Sequence, residues 1–263
     1  MPKFAANLTM LYNEHRFLDR FRAARTDGFT GIEYLFPYTF SKEQLGEALT
    51  ENGLVQVLHN LPAGDWEAGE RGIACHPDRS GEFQDGVGLA IDYAKALQCP
   101  QVNCLAGIAP KGVPSDKVRQ TVVDNLKFAA KKLADAGVRL LIEPINTKDI
   151  PGFYLTRTDQ AVEIMDAVGS NNLFLQYDVY HTQRMEGELV GTFKRLKSRI
   201  AHVQIADNPG RNEPGTGEIN YRFIFGELDR EGYAGWVGCE YRPRTTTSAG
   251  LEWASTYLRG PRE

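Results

Sequence analysis

Four polar side chains stand at the ends of apolar runs. Glu143 closes "LLIE", Asp178 ends "LFLQYD", Gln204 lies in "AHVQIAD" and Glu240 follows "GWVGC". Burying one carboxylate costs free energy unless a partner compensates it, so a single case asks for a local reason. Four cases on four separate runs point to one shared site. Three carboxylates brought together repel, and at least one is protonated unless a cation balances them. A divalent metal is the simplest balance. The donors are all oxygen, three carboxylates and one amide, which favours Mg²⁺ or Mn²⁺ over Zn²⁺. The competing arrangement gives each acid its own Arg or Lys, and it would have to recur independently at every corresponding position.

These residues need elements to carry them. Short β-rich runs occur at 4–10, 31–36, 54–60, 101–107, 139–145, 173–180, 200–206 and 235–241, with helical patterns between them. Several helices are followed by Gly, the usual residue just past a helix C-terminus. "SKEQ" places Ser41 at a cap and Gln44 three residues on, the spacing of a capping box. Near-continuous apolar strands alternating with helices imply a parallel sheet covered on its outside. Eight such units over about 250 residues fit a closed (β/α)8 TIM barrel, α/β in class and a single domain over residues 1–263. No G-x-G-x-x-G follows the first strand, so the main signature of a dinucleotide fold is missing. In a barrel the strand ends form one rim, and consecutive strands five to eight would bring Glu143, Asp178, Gln204 and Glu240 together there.

Composition narrows the partners. A formal net charge of −4 with no basic run argues against nucleic acid and anionic membrane. No apolar stretch approaches the ~20 residues of a membrane span, and "MPKFAANLTM" shows no signal-peptide pattern. Cys75, Cys99, Cys104 and Cys239 form no C-x-x-C pair, and their scatter suits free thiols in a reducing cytoplasm.

The chain resembles the hydroxypyruvate isomerase family, within the xylose-isomerase-like barrels that include tagatose 3-epimerase. The resemblance runs through "FAANL", "EYLFPY", "LHNLPAGDWEAGERGIAC", "LIEPIN", "QYDVYH", "HVQIADNPGRNEPGTGEINY" and "GWVGCEY", nearly the whole length. It implies that Glu143, Asp178, Gln204 and Glu240 bind the metal and that Glu143 and Glu240 also transfer protons. It implies conversion of hydroxypyruvate to tartronate semialdehyde, a place in glyoxylate metabolism, and possible self-association as a homo-oligomer. The sequence departs from the epimerase branch at Gln204, where those relatives carry His, so the ligand set stays all-oxygen and the metal's identity open. By the same resemblance His181, three residues past Asp178, Arg211 in the loop after strand seven, and Asp149, six past Glu143, are substrate contacts. Arg211 is the cation expected to hold the substrate carboxylate.

His59 ends the third strand and is expected either in the pocket or in the core. His202, two before Gln204, is either a hydrogen-bonded core residue or catalytic. Glu33 ends the second strand as support for the site or as a structural ion pair. His15 and His76 fall on the surface. The segment 61–83, with Trp66, reads as a lid over the site or as an Ω-loop packed for stability. The expected partner is a small hydroxy or oxo acid. A longer four-carbon 2-oxo acid or ketose is the alternative, decided by the pocket floor. A DNA-repair endonuclease on this barrel would want several His ligands and a basic face, which this chain lacks. A non-catalytic barrel would not keep the acid set intact.

Overall fold

The structure, a computed structural model, describes residues 1–258. Its strands are β1 (Lys3–Asn7), β2 (Gly31–Glu33), β3 (Val55–Asn60), β4 (Gln101–Cys104), β5 (Arg139–Ile142), β6 (Leu173–Asp178), β7 (Ile200–Ile205) and β8 (Trp236–Cys239). They form a closed parallel barrel in sequence order. The helices are α1 (Asp19–Thr26), α2 (Lys42–Asn52), α3 (Ser80–Ala96), α4 (Ser115–Asp135), α5 (Thr158–Val168), α6 (Val179–Met185), α7 (Leu189–Leu196), α8 (Tyr221–Arg230) and α9 (Ser255–Leu258). None of them is long and apolar enough to cross a membrane.

Each expected strand is present, but most stop one to three residues before the apolar run does. Leu8, Leu105, Ala106, Ile145 and Tyr241 lie past the last ladder pairs and are still buried. Hydrophobic pattern reports burial, whereas a strand ends where pairing ends. Ser41 and Gln44 make the expected capping box, and Gly53 closes α2 with a left-handed φ of 58°.

The chain divides into two compact units. In the first, residues 1–57 with the chain from Tyr177 onward, β1 lies between β2 and β8 and β7 lies beside β8. Side chains alternate across these strands. Phe4 points to the helical layer, with its ring centroid 5.1 Å from those of Phe225 and Trp253. Asn7, Glu33, His202, Gln204 and Glu240 project to the opposite face. In the second unit, residues 58–176, β3 pairs β4, β4 pairs β5 and β5 pairs β6. Its helix α4 buries the stripe Val118, Val122, Leu126, Ala129 and Leu133.

Candidate active site

In the first unit Asp178 is the last residue of β6 and also the N-cap of α6. Its Oδ1 accepts the His181 backbone N–H at 2.8 Å. That cap fixes the turn and sets His181 one helical turn from the carboxylate. Asp178, His181 and Glu240 are buried, and each offers a ligand atom within 4.8 Å of the others. Asp178 Oδ2 is buried and has no hydrogen-bond partner among the described residues. Loss of water raises the Asp178 pKa to about 6, opposed by the Arg211 charge and the α6 backbone N–H groups. Loss of water also raises Glu240, to about 7, with Arg211 opposing and Asp178 and Glu33 adding to the rise. Burial pushes the His181 pKa well down, assisted by Arg211 and Arg184, so its imidazole is neutral and able to ligate. Buried acids of raised pKa with an orphaned oxygen are the condition a cation relieves. This group could hold a metal.

Beneath it lies Glu33. Its Oε1 accepts from Asn7 Nδ2 at 2.9 Å and from Gln204 Nε2 at 2.7 Å, while His202 Nε2 lies 2.6 Å from Oε2. With its –NH₂ turned to Glu33, the Gln204 amide has its oxygen as the atom suited to a cation. His202 is thus a fully buried residue bonded to Glu33, and Glu33 gathers the Asn7 and Gln204 amides. Asn7 also reaches Glu240 Oε1 at 3.3 Å. Gly238 leaves room for Glu33, since a Cβ there would collide with both of its carboxylate oxygens.

Arg211 Nη2 donates to Glu240 Oε2 at 2.5 Å, and its guanidinium stands 5.3 Å from the centroid of the Tyr180 ring. Its backbone takes the left-handed region at φ 54°, rare for a residue with a Cβ. The chain bonds on either side, Arg211 N–H to Asp207 O and Arg242 N–H to Arg211 O, both 2.8 Å, hold it there.

In the second unit Glu143 lies just past the end of β5. Its Oε2 accepts from Asn103 Nδ2 at 3.0 Å and from Gln176 Nε2 at 2.8 Å. His59 departs from the pocket expectation: it shares a face with its ladder partner Val102, and its ring interacts with the Ala90 backbone in α3. Full burial lowers its pKa to about 4. Strand alternation decides this, because Asn60 pairs with Asn103 and takes the face that carries Glu143's partners. Asp149 is exposed, its backbone N–H bonded to Asn146 Oδ1 at 2.9 Å in the turn after β5. The segment 61–83 is folded on itself. Gly72 N–H bonds Ala63 O at 2.9 Å, and the Arg71 guanidinium lies 4.0 Å from the Trp66 ring centroid. It ends in a 3₁₀ turn at Pro77–Arg79 and the first residues of α3. It is also tied to its surroundings, with Cys75 N–H bonded to Ala106 O at 2.9 Å and Asn125 Nδ2 to Ala74 O at 2.9 Å. His15 is exposed and His76 half-buried.

Asn7, Asn103, Gln176 and Asp207 were not expected among the site's supports. The signal was available for Gln176. It stands two residues before Asp178 on β6, so the alternation that pairs His202 with Gln204 places it on the Asp178 face.

A closed parallel barrel with buried acids at its strand ends defines a TIM-barrel enzyme whose site could hold a metal. The family described as a xylose isomerase-like TIM barrel matches residues 21–257. The hydroxypyruvate isomerase of Escherichia coli (strain K12) is 54% identical over 98% of this chain and 100% of its own. The 2-oxo-tetronate isomerase of Cupriavidus necator is 48% identical over 98% and 99%. A crystal structure described as an AP endonuclease, family 2, from Brucella melitensis superimposes with a TM-score of 0.96 at 43% identity, covering 98% of this chain and 100% of that one. The chain belongs to the hydroxypyruvate isomerase family of the xylose isomerase-like TIM barrels.

Proposed function

We propose that this isomerase interconverts hydroxypyruvate and tartronate semialdehyde through an enediolate, with Glu143 and Glu240 moving the protons. One carboxylate takes the proton from C3 of hydroxypyruvate and a proton is returned to C2, while the carbonyl and hydroxyl exchange places. The observation that carries this reading is the buried group Asp178, His181 and Glu240, with Arg211 beside it as the cation for an anionic substrate. On this reading Glu143 is the second acid/base. It is bonded to Gln176, and Asp178 follows two residues later on the same strand. Residues 1–263 on this reading work as one barrel domain.

A divalent cation held by Glu143, Asp178, Gln204 and Glu240 would supply Lewis-acid polarisation of the substrate's carbonyl and hydroxyl oxygens. Mg²⁺ or Mn²⁺ suits this all-oxygen set. Arg211 holds the substrate carboxylate, and the neutral imidazole of His181 can hydrogen-bond a substrate hydroxyl. Asn103 and Gln176 aim Glu143, and Asn7 aims Glu240. Four buried free cysteines suit a cytoplasmic setting.

A second reading extends the substrate to a four-carbon 2-oxo acid, favoured by the Cupriavidus necator relative. The nuclease suggested by the Brucella melitensis protein's description fits less well. His59 packs on α3, His202 bonds Glu33, His15 is exposed and His76 lies by Glu70 and Glu82, which leaves His181 as the imidazole at the acidic group. Assay of hydroxypyruvate, four-carbon 2-oxo acids and ketoses, each with Mg²⁺, Mn²⁺ or chelator, tests the proposal. Turnover of a four-carbon acid far above hydroxypyruvate would replace the first reading by the second, and no turnover of any would remove both.

A further inference from the structure

The loop after β7 carries Arg211, and a single buried carboxylate organises it. Asp207 is 1% exposed. Its Oδ1 accepts the backbone N–H groups of Asn208 at 2.9 Å and Ile219 at 3.0 Å. Its Oδ2 accepts those of Gly215 and Gly217, both at 2.9 Å. The Asp207 backbone completes the knot, with Asp207 N–H to Asn212 O and Arg211 N–H to Asp207 O, both 2.8 Å. The farthest donor lies twelve residues from Asp207 in sequence, so the carboxylate draws the whole excursion 207–219 around itself. Gly217 is the matching piece, since a Cβ there would run into Asn208 O and Asp207 Oδ1.

We propose that Asp207 is a positioning residue for substrate binding: its carboxylate shapes the loop that holds Arg211 in a left-handed conformation against Glu240. The inference rests on the reading of Arg211 as the cation for the substrate carboxylate. The chemistry is specific to a carboxylate. Both oxygens are used as acceptors, each for two N–H groups. An amide in the same place would turn an –NH₂ against two backbone donors, which pushes part of the loop away. Arg211 then loses its aim, and Asp207 acts only through it because both of its oxygens are spent on loop N–H groups.

The experiment compares Asp207→Asn and Gly217→Ala, alone and combined with Arg211→Ala, in steady-state kinetics on hydroxypyruvate with metal present. Each single variant is expected to raise KM by about tenfold with a smaller effect on kcat. Each should add less than about twofold in KM once Arg211 is already Ala, because groups acting through one another are non-additive. Full additivity, or an unchanged KM beside a raised KM for Arg211→Ala, would overturn the assignment of Asp207. Failure of both variants to fold where Arg211→Ala folds would also overturn it, making the knot a stability element. An unchanged KM in Arg211→Ala itself would instead sink the reading of Arg211 on which this rests.

Discussion

Arg211 and Glu240 are joined by a 2.5 Å ion pair. The cation proposed to hold the substrate carboxylate therefore rests on a carboxylate proposed to move a proton. An arriving substrate carboxylate competes with Glu240 for the same guanidinium. Binding would then free Glu240 and weaken the positive charge that holds its pKa down, making it a stronger base as the substrate arrives.

Arg211→Ala should raise KM for hydroxypyruvate well above its effect on kcat, because the substrate carboxylate keeps its charge through the reaction. It should also move the acidic limb of the kcat/KM profile to higher pH, since Arg211 lowers the Glu240 pKa. A pH–rate series on the variant reads both effects. An unmoved limb would show that Glu240 does not set it.

Glu240→Gln and Glu143→Gln each keep a ligand oxygen but cannot accept a proton. Loss of a positioned acid or base lowers rate by ~10²–10⁴, so kcat should fall by that order while calorimetry still finds metal bound. Turnover in heavy water should place solvent deuterium at C2 of the product. Unlabelled product together with near-full activity of Glu240→Gln would leave Glu240 a ligand only and favour a hydride shift.

Chelator treatment should abolish turnover, and Mg²⁺ or Mn²⁺ should restore it. The same ions should raise the melting temperature of the chelated protein, because a ligand that binds only the folded state stabilises it. Equal melting temperatures with and without ion at millimolar concentration would count against the site.

The raised acids predict a pH dependence for the metal-free protein. Asp178 and Glu240 have folded pKa values of about 6 and about 7, above those of unfolded carboxyls near about 4. A group that holds its proton more tightly when folded opposes folding while ionised, and that opposition fades as pH falls through the folded pKa. Buried neutral His59 and His181 act the other way over the same range, so the test is a comparison. From pH 8 to pH 5 the metal-free protein should lose less stability than its Glu240→Gln variant, and bound metal should remove that difference. Thermal melts across that range decide it. A metal-free protein that loses as much stability as Glu240→Gln over that range would contradict the raised value of Glu240.

Gly238→Ala should act on the site without adding or removing a charge. Its new Cβ would meet the Glu33 carboxylate, displacing the acceptor that Gln204 and Asn7 share. Overpacking of this kind costs about 1–3 kcal/mol, and metal affinity should fall with it. Calorimetric titration beside a thermal melt separates the two effects. Unchanged metal affinity would mean that Glu33 does not position Gln204.

The sequence alone determined the barrel and most of its rim. Eight apolar runs in alternation with helices have one economical closure, and Glu143, Asp178, Gln204 and Glu240 are visible because a charge or amide ending an apolar run stands out locally. Tertiary structure decided what each of them touches. His59 and Glu33 both come from strand ends. Only the ladder shows that His59 turns to α3 with Val102 while Glu33 turns inward to gather Asn7, His202 and Gln204. Glu143's partners are 40 and 33 residues away in sequence, and the bond from Asn7 to Glu240 spans 233. A hydrogen bond depends on a few ångströms in space and leaves no periodic mark on the chain. Asp207 is the extreme case. In the sequence it is one acid in a polar loop, and its role exists only once the loop has folded around it.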